Sequence, residues 1–241
     1  DEAGNLYAVA TFGNVSSAPL EMPLKDGSST SLAVTNNWGE DYLLVKFNKD
    51  GEILWATSIG SKFRENGTPD VTVGEDGNPV ICGVFNAANG NLMNESEEKR
   101  EFYIGEQKYL LYPEQSKESA LVKLNSTDGS VMWSRYFTGT GNQEVLKVQA
   151  VSGSNAVAVT GKANNQIIVE GSAGLSTETV THVSGADHLF VISFDVDGKL
   201  LWSKSASGDT SSEGKEISSD DLGNIYVSGY FNGSLNWGDN I

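Results

Sequence analysis

Cysteine is nearly absent: Cys82 is the only one in 241 residues, so no disulfide can form within the chain. It sits in the apolar run Val80-Ile81-Cys82 with no cationic neighbour to activate a thiol, and reads as a small core residue. Histidine is as scarce, with His182 and His188 alone, and no Ser/His/Asp set or metal-spaced cluster can be assembled around them. Both are expected on the surface or in a turn. No stretch approaches eighteen apolar residues, which excludes a transmembrane helix. Positive charge is in short supply, with 16 Lys and Arg against 32 Asp and Glu, a formal net charge of −16. Such a field repels phosphate backbones and anionic headgroups, so nucleic acid is excluded as a partner and the acidity reads as a solubility device. No residue pattern implies a cofactor.

What is abundant is glycine, at 27 residues, while proline stays at 5. With Ser, Asn, Asp and Thr also frequent, this composition suits many short strands joined by tight turns. Nowhere does an apolar 3.6-residue period persist through a helix-length window.

Three landmarks recur in fixed order. A Gly-Asn or Ser-Asn turn opens an apolar strand at Gly4-Asn5-Leu6-Tyr7, Gly77-Asn78-Pro79-Val80, Ser154-Asn155-Ala156-Val157 and Gly223-Asn224-Ile225-Tyr226. An Asp-Gly turn follows an apolar strand at Asp50-Gly51, Asp128-Gly129 and Asp197-Gly198, and a tryptophan stands four residues beyond each of these glycines, at Trp55, Trp133 and Trp202. From each Trp to the next turn asparagine is 23, 22 and 22 residues, whereas from Asn to Trp is 50, 55 and 47. One segment is nearly constant and the other varies, as in a repeated unit with one tolerant insert.

The turns supply the positive-φ residues that tight hairpins require. Each unit therefore reads as four strands: an inner strand (Val71-Thr72-Val73, Val145 to Val148, Ile217-Ser218-Ser219), a second after the Gly-Asn turn, a third before Asp-Gly, and a fourth carrying the Trp. The insert between second and third holds an extra apolar hairpin, clearest at Phe102-Tyr103-Ile104 and Tyr109-Leu110-Leu111-Tyr112. One such sheet leaves two apolar faces wet; stacking successive sheets radially covers them, which is a β-propeller. The expected fold is all-β, tandem four-stranded antiparallel blades, with units at about 1–67, 68–143, 144–212 and a partial one at 213–241. A β-solenoid is the competing architecture, but its repeats are typically shorter.

Asp220-Asp221-Leu222-Gly223-Asn224-Ile225-Tyr226-Val227-Ser228-Gly229 and Asp41-Tyr42-Leu43-Leu44-Val45-Lys46-Phe47-Asn48-Lys49-Asp50-Gly51 through Trp55 resemble the two halves of the bacterial seven-bladed propeller repeat family. NHL-type and PQQ-like propeller repeats are similar to a lesser degree. Ser154 departs from the turn glycine, Glu118 and His188 stand where aspartate is usual, and the turn after Lys123 is one residue longer. The resemblance implies a secreted, periplasmic or surface-attached bacterial protein and carries no catalytic residues, its motif being turn and core positions. The chain opens within a unit, on Asp1-Glu2-Ala3-Gly4-Asn5, and is expected to be a piece of something longer, its ring completed by further blades from the parent chain or another chain.

Propellers bind ligands at the channel mouth. Eight residues before each turn asparagine stand Asp70, Lys147 and Glu216, three different side chains at matching places, which argues against a symmetric metal ring. Trp38, Tyr103 and Tyr109 fall outside the Trp register and are the aromatics suited to stack on a sugar or anchor a protein partner. The run Asp195 to Gly198 resembles the start of a calcium loop but leads directly into a strand, so a hairpin turn is the reading. The expected function is a non-catalytic binding or scaffold module. Its rivals are a glycan-active enzyme using Asp70 and Glu216 as facing carboxylates and, more remotely, a quinone-dependent oxidoreductase.

Overall fold

Two-residue alternation and turn chemistry dictate strands, and strands are what form. A computed structural model describes residues 1–13, 19–32, 40–61, 67–86, 100–105, 107–111, 117–172, 174–180, 185–208 and 210–237. In chain order the strands are β1 (Leu6–Gly13), β2 (Leu20–Pro23), β3 (Ser29–Leu32), β4 (Glu40–Phe47), β5 (Ile53–Ser61), β6 (Asp70–Val73) and β7 (Pro79–Asn86). They continue with β8 (Arg100–Ile104), β9 (Gln107–Leu111), β10 (Lys117–Leu124), β11 (Val131–Thr138), β12 (Gln143–Val151) and β13 (Ala156–Ala163). The remainder are β14 (Ile167–Gly171), β15 (Glu178–Val180), β16 (His188–Phe194), β17 (Leu200–Gly208), β18 (Ser212–Ser219), β19 (Ile225–Phe231) and β20 (Leu235–Trp237). Among the described residues there is no helix, hence none long and apolar enough to cross a membrane.

All pairings are antiparallel. A first sheet runs β1-β4-β5-β8-β9, a second β6-β7-β10-β11-β14-β15, a third β12-β13-β16-β17-β20, and β18-β19 and β2-β3 form two-stranded sheets. The insert hairpins, for which the sequence names no edge, pair with the Trp-bearing strand of the sheet before: β8 with β5, β14 with β11, β20 with β17. The physical reason is the open row of N–H and C=O groups that each Trp strand would otherwise expose.

Successive sheets meet face to face, and their strands alternate between two cores. Ile81 packs with Tyr42, Leu44 and Trp55 of the first sheet, while its neighbours Val80 and Cys82 join Phe137, Val159 and Phe190 between the second and third. In the third sheet Val157 and Val159 face the second, and Ala156 and Ala158 face Ile217, Ile225 and Val227 of β18-β19. An edge-on aromatic series, Tyr42–Phe85–Phe102–Tyr136 at centroid spacings of 5.3, 4.6 and 5.8 Å, fills the first of these cores.

The contacts between sheets have a fixed polar centre. The indole Nε1–H of Trp55 and the ammonium of Lys46 both donate to the Ser126 carbonyl in the β10–β11 turn, at 3.0 and 2.7 Å. One sheet on, Trp133 and Lys123 both donate to the Val196 carbonyl in the β16–β17 turn, at 2.8 and 3.2 Å. The turn glycines lie flat on these rings: a Cβ at Gly129 would come within 2.9 Å of the Trp55 ring and one at Gly198 within 2.8 Å of the Trp133 ring, at φ of 73° and 80°. Glycine is required there both for the left-handed backbone and for the approach. Arg135 adds to the second contact, its guanidinium donating to the carbonyls of Gly198 (2.5 Å) and Ser176 (2.6 Å).

Trp202 has no such cover and is 41% exposed, against 7% for Trp55 and 5% for Trp133. Truncating a buried aromatic costs about 3–5 kcal/mol, so Trp133→Ala is expected to lose stability of that order in urea unfolding. Trp202→Ala is expected to lose about 1 kcal/mol or less.

Candidate functional site

The three positions chosen by counting back from the turn asparagines come together. Asp70 opens β6, Lys147 lies in β12 and Glu216 in β18, each on an edge strand of its sheet. Their ladder partners match too: Asp70 opposes Cys82, Lys147 opposes Thr160 and Glu216 opposes Ser228. Lys147 Nζ stands 3.8 Å from Asp70 Oδ1 and 3.6 Å from Glu216 Oε1, so the ammonium bridges the two carboxylates. The second oxygen of Asp70 accepts the backbone N–H of Val148 at 3.0 Å. Thr72 Oγ1 does the same for Ala150 N–H at 3.0 Å, two residues further along both strands. Side chains of β6 thus satisfy the free edge of β12, which gives Asp70 a structural use. Cys82, beside Asp70 in the ladder, has its thiol pKa pushed far up by burial and then by the Asp70 charge, which keeps it protonated and inert.

Beyond this ion triad the same strands open onto a cleft of about 380 Å³, lined by Asp1, Glu2, Thr72 to Glu75 and Gln149 to Ser152. Its walls are backbone, carboxylate and amide, suited to hydroxyl-rich or cationic groups.

The aromatic candidates lie elsewhere. Tyr103 is half-buried on β8, paired with Gly60, at the outer part of the first sheet and far in strand order from the inner-strand triad. Tyr109 holds β9 against Phe102 through its backbone. Trp38 lies outside the described residues, as does His182. Tyr103 therefore does not share a site with Asp70, Lys147 and Glu216.

His188 corrects the expectation of a surface or turn residue. It begins β16 and is 3% exposed, at the buried strand-opening place that Asp41 and Glu118 hold in the other sheets. The Asp195 turn behaves as read: one carboxylate oxygen accepts the amides of Asp197 and Lys199 at 2.9 and 2.8 Å, closing an Asx turn.

A second polar cluster went unseen in the sequence. Lys162 on β13 stands 3.7 Å from Glu144, 3.5 Å from Asp187 and 3.5 Å from Glu213, while Lys117 reaches Glu144 at 3.2 Å and Tyr230 donates to Glu213 at 2.7 Å. The signal was available: Glu144 and Glu213 each stand three residues before Lys147 and Glu216, at matching places in their units. Burial disfavours the charged Lys162, but the carboxylates of Glu144, Glu213 and Asp187 outweigh it and raise its pKa. Burial likewise opposes ionisation of Glu213, and is overcome by hydrogen bonds from Lys215 and Tyr230 and by the Lys162 charge, which lower its pKa.

Chemically, both clusters are ion-paired networks joining neighbouring sheets. Neither sets a nucleophile beside a base, and the one pair of facing carboxylates considered for glycan chemistry has an ammonium between its members.

No protein-family model matches this chain, and no curated protein is significantly similar to it in sequence.

The signs of the two shifts define a pH window. The raised Lys162 contributes fully below the ordinary lysine value of about 10.4 and loses that contribution as pH rises through its folded pKa. The lowered Glu213 contributes fully above about 4.3 and loses it as pH falls through its folded pKa. Urea midpoints followed across pH are expected to fall on both flanks, and Glu213→Gln to flatten the acid flank.

Proposed function

We propose that this chain is a stretch of β-propeller blades serving as a non-catalytic binding or scaffold module of a secreted or cell-surface bacterial protein. The observation that carries the reading is the twice-made clamp in which one sheet's Trp and Lys close on a single turn carbonyl of the next. It supports a series of sheets fanned around their inner strands β6, β12 and β18, which the sequence landmarks predict at one per unit. Propellers present ligand sites where inner strands converge, and the polar cleft beside Thr72 and Gln149, lined by residues of β6 and β12, is in keeping with this reading. Tyr103, half-buried on β8 at the outer part of the first sheet, offers a second place for a carbohydrate or protein partner.

The non-catalytic part rests on the ion triad. A glycosidase pair needs one carboxylic acid and one carboxylate with the sugar between them, about 5–10 Å apart. Here Lys147 occupies the intervening space and pairs with both. The extracytoplasmic bacterial setting rests on the repeat resemblance.

A glycan array probed with the chain and with Tyr103→Ala and Trp38→Ala tests the binding reading. Retained binding in Asp70→Asn and Glu216→Gln, with no product released from any polysaccharide, is the expected result. Turnover that disappears in either carboxylate variant would replace this reading with the enzymatic one.

A further inference from the structure

Residues directly opposite one another in neighbouring strands share a face of their sheet. In the third sheet one such row runs Gln143, Ala163, His188 across β12, β13 and β16. Ala163 belongs to the core between the second and third sheets, so the whole row faces the second sheet. All three residues are closed off from solvent, at 0%, 0% and 3% exposure. Two of them nonetheless carry a bare polar atom. Among the described residues, neither Gln143 Oε1 nor His188 Nδ1 has a hydrogen-bond partner, and buried groups of this kind are ordinarily satisfied.

Turning the Gln143 amide over does not relieve this. Its Nε2 donates to the carbonyls of Thr140 at 3.0 Å and Gln166 at 3.3 Å, which fixes the oxygen on the other side. In His188 the nitrogen buried without a partner is Nδ1, so the ring proton is assigned to Nε2 and Nδ1 is an acceptor. Two acceptors on either side of an alanine cannot bond to each other. They need a donor with two hydrogens between them.

The repeat shows where room for it comes from. Asp41 and Glu118, which open their strands as His188 does, oppose Phe12 and Phe85, whereas His188 opposes Ala163. Phe85 meets Tyr42 and Phe102 edge-on at 5.3 and 4.6 Å in the contact between the first and second sheets. In the next contact Ser119 stands at the place of Tyr42 and Ile167 at the place of Phe102. Phe137, at the place of Ile59, is the one enlargement on this level. Three rings are cut down and one is added, at the level where the two acceptors lie.

We propose that this row holds one buried water, which donates one hydrogen to Gln143 Oε1 and the other to His188 Nδ1 beside the Ala163 methyl. Water fits the chemistry because it is neutral, carries two donors and takes up only about 30 Å³. The site lies inside a sheet contact and is independent of what the module binds.

Nuclear Overhauser spectroscopy between water and the 13C-labelled alanine methyls of the full chain, at about pH 8 where histidine is ordinarily neutral, tests it. Ala158 is the internal reference, since it is also 0% exposed but packs in the apolar core with Val151, Val191 and Ile217. A water cross-peak with the sign of a long-lived bound molecule is expected at Ala163 and not at Ala158. The His188 Nδ1 resonance is expected in the unprotonated range, which excludes an exchanging ring proton as the source of the peak. In His188→Phe, with circular dichroism confirming the fold, the peak is expected to vanish. Gln143→Met replaces that variant if it does not fold. No water peak at Ala163 overturns the proposal, as does an equal peak at Ala158. So does a peak unchanged in the folded variant, or a proton on Nδ1.

Discussion

One carbonyl oxygen accepting two donors from the neighbouring sheet is the contact on which the architecture depends. Antiparallel sheets with two apolar faces are driven to stack, but burial alone is non-directional and would tolerate sliding. The Ser126 and Val196 carbonyls remove that freedom, because each must meet an indole N–H and a lysine ammonium at once. Burying an ammonium is costly unless it is paired. Lys46 shows this in a pKa lowered by burial, and Lys123 is offset by Asp76 at 2.6 Å. Burial works against the Asp76 charge as well, yet hydrogen bonds from Lys123 and Asn78 hold its pKa below the ordinary aspartate value. A turn that failed to reach the carbonyl into place would leave both donors unsatisfied, so a misplaced sheet is penalised as well as unrewarded.

The same logic organises the scarce positive charge. In a chain at −16, Lys117, Lys147 and Lys162 are each set between strands and against carboxylates from neighbouring sheets, so cations serve as ties and leave the surface acidic. A polar edge follows from this arrangement: side chains of β6 cap the backbone of β12, and Lys147 joins β6, β12 and β18.

Much of the fold was legible because its signals are local. Gly-Asn and Asp-Gly turns fix hairpins by backbone conformation, and the Trp interval gave the order of strands from Asp70 onward. The matching of Asp70, Lys147 and Glu216 was also legible, since equal offsets from equal turns land on equal ladder positions. Two things were not. The insert hairpins carry an apolar pattern but no sign of which edge they join, and the edge they chose belongs to the preceding sheet, as β8 on β5 shows. The burial of His188 was hidden for a different reason: the repeat sets it at the place of Asp41, but a position held by aspartate, glutamate and histidine reads as exposed, and only the packed sheets show that it is buried. The Lys162 cluster required comparing Glu144 with Glu213 across units before judging either by its own neighbours.

The central claim, that the clamp holds one sheet to the next, is tested most directly by hydrogen exchange at the indole Nε1 positions, read by NMR on the assigned tryptophans. The Trp55 and Trp133 protons are buried and bonded to carbonyls, and are predicted to exchange only through opening of the sheet contacts, slowly and together with the core amides of β4 and β10. The Trp202 proton is predicted to exchange fast. Equal, rapid exchange at all three would contradict the account.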